Sequence, residues 1–189
     1  MTFVEAHITD LALDFFIENQ DLLLDYNKVN SLLKEVSGIN NFFTTQQEAS
    51  ELHTEIKINQ SIVSEPDRRE YGDFQTNQEL ANQVAQYTSR KYESIEFVLE
   101  PTCGKGNFIL ASIRNFTSLK KIVGVEIYKP YIWKTKFKIL THYLNNPHHS
   151  IPEIDILHGN AFEFKYDELA NATKHLKTLV IGNPPWVTN

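Results

Sequence analysis

The sequence predicts an α/β chain: a doubly wound parallel sheet preceded by a helical N-terminal extension. Three observations predict it. After about residue 70, short apolar runs alternate with longer helical stretches, the pattern of repeated βαβ units. Before that point, residues 1–65 hold a single glycine, Gly38, and no proline, as helices prefer. Polar, glycine- or proline-containing segments then follow the apolar runs, where open parallel sheets bind their ligands.

In the N-terminal region, Leu11, Phe15, Leu22, Tyr26, Val29 and Leu33 recur at helical spacing, giving one long helix or two. Gly38, followed by Asn40-Asn41, is the stop signal. Thr44-Thr45-Gln46-Gln47-Glu48 resembles an N-terminal cap and opens a helix to about Ile58. Ser64 to Arg69 is a loop. Residues 1–65 are therefore read as a helical region and 66–189 as a ligand-binding α/β domain, incomplete at its C-terminus. Asn77 to Tyr92 is a helix and Ile95 to Leu99 a buried strand. Gly106 to Phe116 is a helix and Lys121 to Val125 a second strand. Pro130 to Leu144 is a helix stopped at Asn145-Asn146-Pro147, Ile154 to His158 a third strand, Tyr166 to His175 a helix, and Thr178 to Ile181 a fourth strand.

Composition excludes several classes. With 41% hydrophobic and 22% charged residues the chain is globular, and twelve Phe, eight Tyr and two Trp can fill a core. One cysteine rules out an internal disulfide framework and suits a reducing, cytoplasmic setting. The N-terminus lacks a basic stretch ahead of its apolar residues, so it is not a signal peptide, and no apolar run reaches the ~18 residues that would span a bilayer. His148-His149 beside Pro147 lacks further ligands, so no metal is expected. The net charge of −6 is unexpected for a nucleic-acid binder, so any basic recognition surface is expected elsewhere.

Four segments after the strands carry candidate chemistry. The first, Glu100-Pro101-Thr102-Cys103-Gly104-Lys105-Gly106-Asn107-Phe108, opens a helix. Two glycines there are most often only a turn. Glu100 changes the reading, because a carboxylate at a strand tip suits a cationic group, such as the amino group of a methionine moiety, and repels a pyrophosphate. The second, Glu126-Ile127, lies twenty positions after Gly106, where an acid can accept from both hydroxyls of a ribose. The third, Asn160-Ala161-Phe162, could pair with and sandwich an adenine ring, or be an ordinary turn with a core Phe. The fourth, Asn183-Pro184-Pro185-Trp186, offers an amide oxygen, a carbonyl held rigid by proline and an aromatic face, which together suit a planar amino group. Ahead of the sheet, Tyr71, Phe74 and Thr76 lie in a loop able to fold over a ligand, although Thr76 or Asn77 could simply cap the following helix.

Taken together, residues 70–189 resemble the N6-adenine DNA methyltransferases of type II restriction–modification systems. Tyr71 to Asn77 is similar to the segment preceding the sheet in that family. Glu100 to Phe108 resembles its S-adenosylmethionine loop, Glu126 its ribose-binding acid, and Asn183 to Trp186 its catalytic loop. Asn160 departs from the pattern, which has Asp followed closely by an aromatic. The resemblance implies a Rossmann-like fold, present in part, with S-adenosylmethionine as cofactor. It further implies that Asn183 and Pro184 accept the two N–H bonds of a flipped-out adenine while Trp186 stacks on it. The motif order implies a recognition domain for double-stranded DNA lying C-terminal to the catalytic domain, outside these 189 residues, and a cognate restriction endonuclease as partner. The fragment is then expected to be inactive alone, and its cut sheet to expose an apolar edge and self-associate. Protein glutamine-N5 methyltransferases carry a similar Asn-Pro-Pro-aromatic loop and form the alternative. A non-catalytic cofactor-binding fragment is a third reading.

Overall fold

The computed structural model describes residues 8–58 and 76–184. The expected loop at Ser64 to Arg69 lies outside them, as do Tyr71, Phe74, Pro185 and Trp186.

The N-terminal region forms three helices. α1 (Asp10–Glu18) is capped by Thr9, whose hydroxyl accepts the Ala12 N–H. It ends at Asn19, whose backbone N–H and side-chain amide both donate to the Phe15 carbonyl, at 3.2 and 2.8 Å. A short 3-10 turn (Gln20–Leu24) then leads to α2 (Tyr26–Ser37), capped by Asp25. The helical periodicity therefore belongs to two helices and a turn. Gly38 ends α2 with φ +73°, and its missing Cβ leaves room for the Pro152 carbonyl. α3 (Gln46–Ile58) begins with a reciprocal cap: Thr45 accepts from the Glu48 N–H, and Glu48 accepts from the Thr44 N–H and hydroxyl.

The sheet holds β1 (Phe97–Glu100), β2 (Lys121–Glu126), β3 (Glu153–His158) and β4 (Thr178–Val180), all parallel, in the order β3-β2-β1-β4. α5 (Asn107–Asn115) joins β1 to β2, α6 (Lys129–Asn145) joins β2 to β3, and α7 (Tyr166–Thr173) joins β3 to β4. Alternation assigns the two faces. Val98, Ile122, Ile154 and Ile156 face α5, α6 and the N-terminal helices in one continuous core. Phe97, Leu99, Val123 and Val125 face the other way and pack with Leu169 of α7 and Phe164. Helices thus cover both faces, the doubly wound arrangement expected from the sequence. α4 (Gln78–Lys91) lies against α5 and is capped by Asn77, not Thr76, through a 2.7 Å bond from the Leu80 N–H.

The N-terminal helices share the core of the sheet. Phe16, Phe42 and Phe43 interlock with Trp133 and Phe137 of α6, their ring centroids 5.3–6.2 Å apart. Lys136 enters this cluster, donating to the Phe42 carbonyl at 2.7 Å with its ammonium 5.0 Å from the Trp133 ring centroid. Ile39 adds a single parallel bridge to Ile154 at the β3 edge. At the opposite edge, β4 pairs with β1, and Val180 is 61% exposed. No described helix is long and apolar enough to cross a membrane.

Candidate functional site

The site is built where the strand order reverses, between the ends of β1 and β4. β2 and β3 lie on one side of β1 and β4 on the other, the reversal of strand order beside which open parallel sheets carry their ligand crevice. Leu99 pairs with Val180, and the Ile181 N–H donates to the Leu99 carbonyl at 3.0 Å. The next residue, Gly182, stands against the turn after β1: a Cβ placed on it would lie 3.5 Å from Glu100 Cγ and 4.0 Å from Thr102 Oγ1. Asn183 and Pro184 follow at once and are exposed. Pairing of two parallel strands therefore sets the first and fourth sequence segments side by side.

Glu100 is 2% exposed. One of its oxygens caps α5, taking the Ile109 N–H where Gly106 offers no side chain. The other, Oε2, has no hydrogen-bond partner among the described residues. Burial, and secondarily the charge of Glu126, push its carboxyl well above the ordinary range. A buried acceptor without a donor is costly, and a cation supplied by a ligand would offset that cost. This carboxylate therefore fits the ammonium of an S-adenosylmethionine-type cofactor.

Glu126 ends β2 and faces the same turn. Its Oε2 accepts the Gly104 N–H at 2.8 Å and its Oε1 the Tyr128 N–H at 2.7 Å. A carboxylate offers about four lone-pair positions, so it can brace the turn and still accept from hydroxyls. Ile127, the next residue, is 63% exposed. Gly106 takes φ +72°, and a Cβ there would lie 2.5 Å from Thr135 Cγ2.

Several predicted residues shape the turn from behind. Cys103 and Phe108 are buried in the core, and Cys103 donates its N–H to the Val125 carbonyl at 2.9 Å. Burial, then the charges of Glu100 and Glu126, push its thiol well up, so it is not a reactive thiolate. Asn107 holds the Thr76 carbonyl at 2.6 Å through its amide and accepts from Lys138 at 2.5 Å. Its side chain thus ties the loop ahead of α4 to α6. Pro101 is partly buried beside Gly182.

The third segment stands next to the second, because the Gly159 N–H donates to the Glu126 carbonyl at 3.0 Å. Asn160 is engaged locally: its Oδ1 takes the Phe162 N–H at 3.0 Å and its Nδ2 donates to Glu163 at 3.1 Å. Ala161 is partly buried. Phe162 is 84% exposed, so it is not a core residue, and its ring is open to a ligand.

Two residues escaped the sequence reading. Thr135 donates to the Gly104 carbonyl at 3.0 Å, and Lys138 to the Lys105 carbonyl at 2.7 Å. Their i, i+3 spacing puts both on one face of α6. That spacing is the only sequence signal, and nothing in it says which loop the face meets.

The parallel four-stranded α/β fold, with helices on both faces, is consistent with a partial Rossmann-like methyltransferase fold. No family model matches the chain. The chain is similar to the type II methyltransferase M.NspV of a Nostoc strain, with 39% identity over 125 residues, covering 66% of this chain. It spans about a quarter (24%) of that relative's length.

Proposed function

We propose that the chain is the cofactor-binding and catalytic part of an S-adenosylmethionine-dependent DNA methyltransferase that modifies adenine N6 within a restriction–modification system. The carrying observation is the contact of Gly182 with Glu100, which sets Asn183 and Pro184 beside a buried carboxylate with one oxygen lacking a donor among the described residues. Similarity to a type II methyltransferase supports the same reading.

Bound S-adenosylmethionine supplies an electrophilic methyl group on a sulfonium. Within the chain, Glu100 binds the ammonium of the cofactor, and Glu126 accepts from its ribose while holding the turn in shape. Phe162 and Ile127 offer exposed apolar surface to the adenine ring. The Asn183 side-chain oxygen and the Pro184 carbonyl accept the two N–H bonds of the target amine. Their partial negative charge stabilises the positive charge that grows on that nitrogen as its lone pair leaves conjugation with the ring. No general base is needed before attack, because the product ammonium is acidic. Trp186 is assigned to stacking on the flipped base. Recognition of duplex DNA belongs to a further domain, a cognate endonuclease is the expected partner, and the exposed β4 edge favours self-association of the chain alone.

The test is methyl transfer by a version extended to the length of the Nostoc relative. N6-methyladenine is expected from duplex DNA, with transfer lost in Asn183→Ala while S-adenosylhomocysteine still binds. Recovery of methylglutamine from protein instead, or near wild-type transfer by Asn183→Ala, overturns the reading.

A further inference from the structure

A cavity of about 340 Å³ lies between α5 and α6. Four cationic side chains line it, Lys105, Arg114, Lys134 and Lys138, together with the ring of His142. No Asp or Glu is among the described residues lining it. In a chain of net charge −6, this concentrates one sign against the overall balance.

The cavity is a different place from the crevice at Glu100. It follows the outer groove of the two helices, and Arg114 sits in the last turn of α5, roughly 12 Å along the helix axis from Gly106. Lys138 is held in place by the Lys105 carbonyl at 2.7 Å and the Asn107 side-chain oxygen at 2.5 Å. An ammonium has three donors, and these contacts use two. Thr141 adds a hydroxyl to the lining.

The cations are crowded enough to act on one another. Burial first, then Lys105, and after them Arg114 and Lys134, bring the Lys138 ammonium down to about 8 against the opposing charge of Glu100. Burial, then Arg114 and His149, bring His142 down to about 4. An anion among these groups would relieve the repulsion. The volume suits a small anion or a single phosphate group, not the whole width of a duplex. Clustered Lys and Arg donors match phosphate oxygens well.

We propose that this cavity binds a phosphate-bearing anion, a second ligand site apart from the cofactor crevice. The phosphate arrives either as a free polyphosphate or nucleotide or as a backbone phosphate of a nucleic acid. The proposal is independent of the methyl-transfer reading.

Titration calorimetry of the chain with inorganic pyrophosphate and, separately, with a short DNA duplex tests it. Pyrophosphate is expected to bind. Arg114→Glu is expected to weaken that binding by at least about tenfold, as loss of a charge-assisted contact does, with Lys134→Gln acting in the same direction. Arg114 is exposed, so its variant should fold, and unchanged S-adenosylhomocysteine affinity checks that the cofactor crevice is intact. Duplex that displaces pyrophosphate, and whose own affinity falls in Arg114→Glu, supports the site and assigns its phosphate to nucleic acid. Pyrophosphate binding that duplex leaves untouched supports the site and assigns a free anion. Absence of binding to both probes, or binding unchanged in both variants, overturns the proposal.

Discussion

The Glu126 carboxylate accepts the Gly104 N–H at 2.8 Å, so the tip of β2 clamps the turn that follows β1. The same group takes the Tyr128 N–H at 2.7 Å and so also shapes the start of the segment leading into α6. A residue read from sequence as a ligand acceptor is therefore also a brace for the other half of the site. Glu126→Ala is expected to weaken S-adenosylhomocysteine binding by tenfold or more. It should also lower stability by about 1–3 kcal/mol, because the buried Gly104 amide loses its acceptor. Calorimetry and urea denaturation separate the two effects; intact affinity in a destabilised variant would leave Glu126 a purely structural role.

Glu100 should make cofactor binding visible as proton release. Its carboxyl titrates well above the ordinary range in the free protein, through burial and the nearby Glu126, and a bound ammonium draws it back down. Affinity for S-adenosylhomocysteine should therefore rise with pH through the window between the ordinary carboxyl value of 4.5 and the raised one. The sign for stability is the opposite. The native state holds this proton more tightly than the unfolded state, so Glu100 costs the free protein stability as pH rises through the same window. Glu100→Gln should keep the cap on α5, raise the melting temperature of the free protein at neutral pH, and abolish the proton release. Calorimetry in buffers of different ionisation enthalpy reads that release.

Gly106 meets two constraints at once, a φ of +72° and the Thr135 methyl 2.5 Å from any added Cβ. Gly106→Ala is expected to cost about 2–4 kcal/mol, combining the left-handed backbone with the overlap. Adding Thr135→Ser removes the nearest methyl and keeps the hydroxyl that donates to Gly104. Part of the loss should then return in the double variant, measured by chemical denaturation. Strictly additive effects would show that the backbone conformation alone matters.

Lys136 joins the N-terminal helices to α6 and is buried, so its ammonium is pushed down to about 8. Its folded value lies below its ordinary 10.5, so the unfolded state binds more protons between the two values and the contribution of Lys136 to stability grows as pH rises from about 8 to 10.5. The neutral amine still has two donors for the carbonyls of Asn41 and Phe42. Lys136→Met leaves both carbonyls without this donor, and its stability deficit relative to wild type should be larger at pH 9.5 than at pH 7. Urea melts at the two values check this.

How much was legible follows from where the information lies. Alternation of apolar runs and helical stretches is local, so the parallel doubly wound sheet and nearly every element could be read from the chain. The reciprocal cap at Thr45 and Glu48 and the stop at Gly38 are local too, and both stand as expected. The helix break at Asn19 was less visible, because the apolar spacing runs straight through it into the 3-10 turn that follows.

The sequence by itself determined the chemistry on offer: a carboxylate after the first strand, another after the second, and an amide with a rigid carbonyl after the fourth. Only the tertiary structure decided how these meet. Parallel pairing of Leu99 with Val180 brings Gly182 to Glu100, although the two are far apart in the chain. The fold also chose the supports, Thr135 and Lys138 under the turn and Asn107 across to Thr76, and it gathered four cations from α5, α6 and the turn into one cavity. The physical reason is that residue identity and local periodicity are written along the chain, whereas burial, orphaned acceptors and crowded charges exist only once strand pairing and helix packing bring distant segments within a few ångströms.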